Sequence, residues 1–204
     1  MNIRSNVRSM TVPIVVACLM AIPVVVMGVT SERAIAGKPS PWASQTATPW
    51  QTTWKTYTAK QGRFSVLMPG SPKLISTPVT LESGDRTKLW GVVGLESETR
   101  TVYISAYMDI PTAIDPKSNL AQESLEQGIQ KLAEIQGFEV TARSRFALKG
   151  YPGQEIRYRL PNGHTGRSRI FLVNARMYFL AVETDRGASV QTNVDRFMQS
   201  FKLL

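Results

Sequence analysis

Two side chains that carry much of enzyme chemistry are nearly missing from this sequence of 204 residues: cysteine occurs once, at Cys18, and histidine once, at His164. Everything after Cys18 therefore lacks a thiol, which excludes an internal disulfide and a cysteine nucleophile there. One histidine cannot supply the two or more imidazole or thiolate ligands that most zinc sites use. Acids are also scarce, with 15 Asp and Glu against 24 Lys and Arg. Neither a P-loop nor a dinucleotide fingerprint is present. Gly166-Arg167-Ser168-Arg169 lacks the second glycine of a nucleophile elbow, and no Asp–His pair accompanies it. No internal repeat interrupts the chain.

What is present begins with an address. Arg4 and Arg8 precede an apolar run from Val12 to Val29, and Ala34-Ile35-Ala36 follows with small residues at cleavage-site spacing. Residues 1–36 thus read as a secretory signal peptide or as an uncleaved membrane anchor. Pro13 and Pro23 inside the run argue against a long, well-packed span. A lipoprotein reading rests on Val15-Val16-Ala17-Cys18, but it would leave a greasy segment where a polar tether is usual. All three readings export the same domain.

Residues 37–53 are rich in Pro, Ser, Thr, Ala and Gln without hydrophobic periodicity, and read as a disordered linker. Residues 54–204 make one domain, large enough to be stable without metal or disulfide. The formal charge of +9 stays strongly positive, at +7, without Arg4, Arg8, Arg33 and Glu32. That balance favours acidic proteins, anionic polymers or anionic headgroups as partners; the exported address disfavours nucleic acid.

Within the domain, alternation predicts strands over 63–68, 73–81, 88–95 and 101–108. The period then changes: Ala121, Leu125, Ile129, Leu132 and Ala133 form a helical stripe, with Asp115 or Ser118 to cap its start and Gly137 at its exit. Four more strands are predicted over 139–148, 154–160, 166–173 and 176–184, joined by hairpin-length turns. A last helix presents Val190, Val194, Phe197, Met198 and Phe201 on one face. The pattern predicts an α+β fold, a largely antiparallel sheet of about seven to eight strands with two main helices.

Several short motifs resemble the PsbP-like domain family. They are Tyr151 to Glu155, Gly166-Arg167, Met177-Tyr178-Phe179, the terminal Ser200-Phe201-Lys202-Leu203, and Gly62-Arg63-Phe64-Ser65-Val66 running into Met68-Pro69. The resemblance implies a PsbP-like sandwich in a thylakoid lumen or periplasm, where the eponymous members are extrinsic subunits of photosystem II. The chain departs from photosynthetic members at Ser168, where they often carry histidine, and around Gly187-Ala188-Ser189, where they carry tryptophan.

One constellation stands out in its chemistry. Arg143 and Arg145, Arg157 and Arg159, and Arg167 and Arg169 are three i, i+2 pairs on consecutive predicted strands. Alternation puts each pair on one face of its strand, and an unbroken meander would put all six on the sheet face away from the core. Such a face is ordinarily solvated, its long stems covering the sheet. Only Glu139, Glu155 and Glu183 are nearby acids, and like charges set opposite each other are unfavourable. The surplus therefore points to an anionic partner that the guanidinium fork suits. His164 reads as a turn residue, and Asp109 and Asp115 as turn or cap residues rather than a calcium site. No cofactor, metal or catalytic residue is predicted. The expectation is an exported, non-enzymatic binding domain docking an acidic surface of a membrane-associated protein assembly. The rival readings are an envelope module binding anionic polymer or lipid headgroups, and an uncharacterised enzyme.

Overall fold

The structure, a computed structural model, describes residues 52–204 apart from 82, 83 and 112. The reading of 1–36 as a leader, and nearly all of the 37–53 linker, lies outside the described residues. Among them, no helix is long and apolar enough to cross a membrane.

Seven antiparallel strands form the main sheet, in the order β3-β4-β5-β9-β8-β7-β6. They are β3 (Lys73–Thr80), β4 (Arg86–Glu96), β5 (Thr101–Asp109), β6 (Glu139–Leu148), β7 (Tyr151–Arg159), β8 (Thr165–Val173) and β9 (Arg176–Thr184). A smaller sheet, β1-β2-β10, joins the hairpin β1 (Trp54–Ala59) and β2 (Phe64–Pro69) to a two-residue strand, β10 (Lys202–Leu203). Helix α1 (Asn119–Gln136) and helix α2 (Gln191–Ser200) complete an α+β sandwich. The expected fold class is the observed one.

Helix α1 lies on one face of the main sheet because its stripe, Ala121, Leu125, Ile129 and Leu132, is apolar at helical spacing and buried throughout. It meets Ile104, Met108, Ile156, Ile170, Leu172 and Phe179 from the strands. Gly137, at φ 68°, ends the helix in the left-handed conformation that glycine adopts without penalty. Ser118 occupies the N-cap position, but its hydroxyl donates back to the Asp115 carbonyl at 2.6 Å. The Asp115 carboxylate accepts from the Lys117 N–H at 2.9 Å, so both residues shape the entering turn.

The opposite face is not bare. It carries a second core in which Phe64, Val66, Met68, Phe197 and Phe201 from the small sheet and α2 pack on Tyr103, Phe171, Tyr178 and Leu180. The expected solvent face is therefore a second interior over much of its area. Strand β10 escaped the sequence reading because it is two residues long, and β1 because its apolar residues, Trp54, Tyr57 and Ala59, do not alternate.

Candidate functional site

Pairing register decides where the six arginines point. In β7 and β8, Arg157 lies directly opposite Arg167, and Glu155 opposite Arg169. Arg157, Arg159, Arg167 and Arg169 therefore share the face that α2 covers, as alternation required. Strand β6 departs. Its register with β7 shifts between Val140 and Ala142, leaving Thr141 without an opposite number. Beyond that bulge Arg143 faces Ile156 and Arg145 faces Gln154, which places the pair on the α1 side. The single six-arginine face is thus corrected to four on one side and two on the other, since a one-residue slip reverses every later side chain. Nothing in 139–143 signals the bulge: the stretch holds no glycine or proline.

The arginines also differ in how they are held. Arg145 donates to Glu126 of α1 through Nη2 at 2.6 Å and Nε at 3.2 Å, an exposed pair. The Arg145 hydrogen bond, opposed by a small burial effect, keeps the Glu126 carboxyl below the usual range. Arg167 grips Glu155 with two parallel hydrogen bonds, Nε to Oε1 at 2.9 Å and Nη2 to Oε2 at 3.0 Å, and reaches Asp195 of α2 at 2.5 Å. Arg169 donates through Nε to Glu155 Oε2 at 2.6 Å, the oxygen that also accepts from Arg167 Nη2, and to the Met198 carbonyl of α2 at 3.0 Å, with its guanidinium over the Phe146 ring. Burial pushes the Glu155 carboxyl up, but the hydrogen bonds from Arg167 and Arg169 outweigh it and the net shift is downward. These two arginines clamp α2 to the sheet through one shared carboxylate. The sequence showed Glu155, but without the register it could not place that acid between two guanidiniums.

Arg157 and Arg159 remain outward. Among the described residues the Arg157 side chain has no hydrogen-bonded or ion-paired partner, and Arg159 stands 3.9 Å from Glu139 with both side chains mostly exposed. With Arg167 they border a cleft of about 320 Å³ between the β7–β8 end and the start of α2, closed by Thr141, Gly187 and Gln191. None of the residues lining it is acidic. The short 3₁₀ turn Gly187–Val190 leads into α2 here, and neither it nor α2 has a side-chain cap. The cleft thus sets two outward arginines and one held arginine, Arg167, beside the positive end of a helix, a setting that favours an anionic group.

Beneath it, on the α1 side, the Tyr158 hydroxyl donates to Glu183 at 3.2 Å. Burial raises the Glu183 carboxyl, offset in part by that hydrogen bond and by the field of His164. Burial and the neighbouring carboxylate push the Tyr158 hydroxyl well up. His164 sits in the β7–β8 turn, where its N–H donates to the Asn162 side chain at 3.0 Å. Gly166 is required there: a Cβ on it would lie 2.1 Å from Cζ of Tyr158. Asp109 pairs with Arg176 at 2.6 and 3.0 Å.

No family model matches the chain, and no curated protein matches it. Among solved structures, the fold is similar to the solution structure of cyanobacterial PsbP (CyanoP) from Synechocystis sp. PCC 6803, with a TM-score of 0.51 and 14% identity over 81% of this chain and 100% of that chain. It is more loosely similar to PA94, a protein of unknown function from Pseudomonas aeruginosa, with a TM-score of 0.39 and 12% identity over 72% of this chain and 92% of that chain. At such identities the likeness extends to architecture alone: the sandwich is PsbP-like.

Proposed function

We propose that this chain is an exported, non-enzymatic accessory domain that docks an acidic surface of a membrane-associated protein assembly. The docking residues are Arg157 and Arg159, with Arg167 as the fixed wall behind them. One observation carries this reading: three arginines converge on a cleft whose lining contains no acid. A carboxylate from a partner would meet the free planar donors of Arg157 and Arg159 there. The PsbP-like architecture is consistent with an accessory role. In a phototroph the partner assembly would be photosystem II or its assembly machinery.

Arg143 and Arg145 belong to a different surface. They sit on β6, the edge of the main sheet among the described residues, where charge also discourages strand-to-strand aggregation. In this reading they add to the positive field without contacting the same partner group.

The test is affinity capture from native membranes at low salt, comparing the unaltered chain with Arg157→Glu plus Arg159→Glu. The expected result is one defined complex, lost on charge reversal and weakened by salt. Capture that is indifferent to the reversal refutes the reading. Salt-sensitive retention on any anionic polymer, without protein selectivity, replaces it with an envelope-binding module.

A further inference from the structure

A second cleft, remote from the arginines in the strand order, lies where the sandwich is left open. The small sheet ends at β1, while the main sheet runs on to β3, so among the described residues no element covers the β3–β4 corner on this face. Cross-strand register puts Leu74 opposite Val92 and Ser76 opposite Trp90 on that face. Leu74 is 73% exposed and Trp90 41% exposed, although the neighbours they adjoin, Val92 and Tyr107, are buried. Together with Tyr57 and Phe64 they line a cleft of about 450 Å³ whose only charged lining residue is Lys60.

The rim is basic. Alternation along β4 places Arg86 and Lys88 on the same face as Trp90, and Lys88 Nζ stands 4.4 Å from the Trp90 ring centroid. Asp109, at the near end of β5, is occupied by Arg176. An exposed Trp and Leu around an apolar hollow, with Lys60 in its lining and Lys88 over the Trp90 ring, match the boundary of an anionic bilayer in both polarity and charge. A polar peptide would leave the Leu and Trp surfaces unmatched, and a neutral apolar partner would leave the cations unused.

We propose that this corner is a membrane-contacting surface: Leu74 and Trp90 enter the headgroup–acyl boundary of an anionic leaflet, with Lys60, Arg86 and Lys88 at its phosphates. This surface is independent of the arginine cleft and of any N-terminal anchor. It sets which way the domain faces the bilayer.

The test reads local depth, so that attachment elsewhere does not obscure it. A nitroxide is placed at Ser76→Cys in the full chain carrying Cys18→Ser, and another at Ser144→Cys on the exposed β6 edge. Each is measured on phosphatidylcholine vesicles with and without 30% phosphatidylglycerol, an amount on the order of that in anionic leaflets. The expected result is oxygen-favoured, nickel-excluded relaxation at 76 on anionic vesicles alone, with 144 remaining aqueous. Adding Leu74→Ser and Trp90→Ser should lower the immersed fraction about tenfold. An aqueous signal at 76 on anionic vesicles overturns the proposal. So does equal immersion on neutral vesicles, or immersion that survives the double substitution.

Discussion

Glu155 is the residue on which the seating of α2 most depends, and replacing it tests the clamp directly. Glu155→Gln keeps the side-chain shape but leaves Arg167 and Arg169 beside each other without their shared counter-charge. The side chains of Glu155 and Arg167 are each 15% exposed and that of Arg169 25%, so solvent compensates little. Removing one partner of a buried pair typically costs about 3–5 kcal/mol, and partial exposure places this one near ~3 kcal/mol. For a domain of this size each kcal/mol lowers the midpoint by about 2–4 °C, which predicts a fall of roughly 6–12 °C. The pH dependence has a fixed sign. The folded carboxyl lies below its ordinary value, so its stabilisation is complete above the unfolded carboxyl's pKa and is lost as pH falls through the folded one. Thermal melts of both proteins should therefore converge in acid and separate above about pH 5. A fall under about 2 °C at pH 7, or a gap that persists unchanged at the acid end, refutes the clamp. Arg157→Ala serves as the control, with an expected change within about ±0.5 kcal/mol.

Two further outcomes follow from the cores. Phe201 stacks on Phe64 at 5.3 Å and meets Phe171 edge-on at 5.1 Å, so Phe201→Ala should destabilise by about 3–5 kcal/mol in urea titrations. Glu183 has the opposite pH sign to Glu155: its raised carboxyl stabilises the fold relatively more at low pH and progressively less as it ionises. Glu183→Gln keeps an acceptor for the Tyr158 hydroxyl, so its melting temperature should exceed that of the unaltered chain by more at pH 8 than at pH 4. An equal difference at both pH values would show that folding leaves the Glu183 carboxyl unshifted.

The legible parts of this sequence were those written in local periodicity. The stripes of α1 and α2 and eight of the strands follow from apolar spacing, because helix and strand faces repeat within a few residues. Three of the family-like motifs, around Gly62, Tyr178 and Ser200-Phe201, proved to be structural. The Tyr178 hydroxyl donates to the Gly62 carbonyl at 2.9 Å, Ser200 Oγ accepts from the Leu67 N–H at 2.9 Å, and Phe201 fills the space between them. They specify the second core, which is why they report fold and not partner. What could not be read was register. The bulge at Thr141 sends Arg143 and Arg145 to the α1 side, and Glu155 meets Arg169 only through a pairing set by the β7–β8 turn. Strand β10 was invisible for the same reason, since two residues become a strand only where β2 waits for them.

That last pairing has a consequence for biogenesis. The hydrogen bond from Leu67 to Ser200 spans 133 positions of sequence, and β2 accepts its final neighbour only from the tail end of the domain. While the polypeptide emerges from a ribosome, the aromatic half of the interior lacks the part of its cover that α2 and β10 supply. Contacts this distant slow folding and keep sticky surface open in the meantime. A nascent chain stalled a dozen residues early would hold a nearly complete large sheet beside an open layer of phenylalanine and tyrosine, a ready substrate for chaperones and proteases.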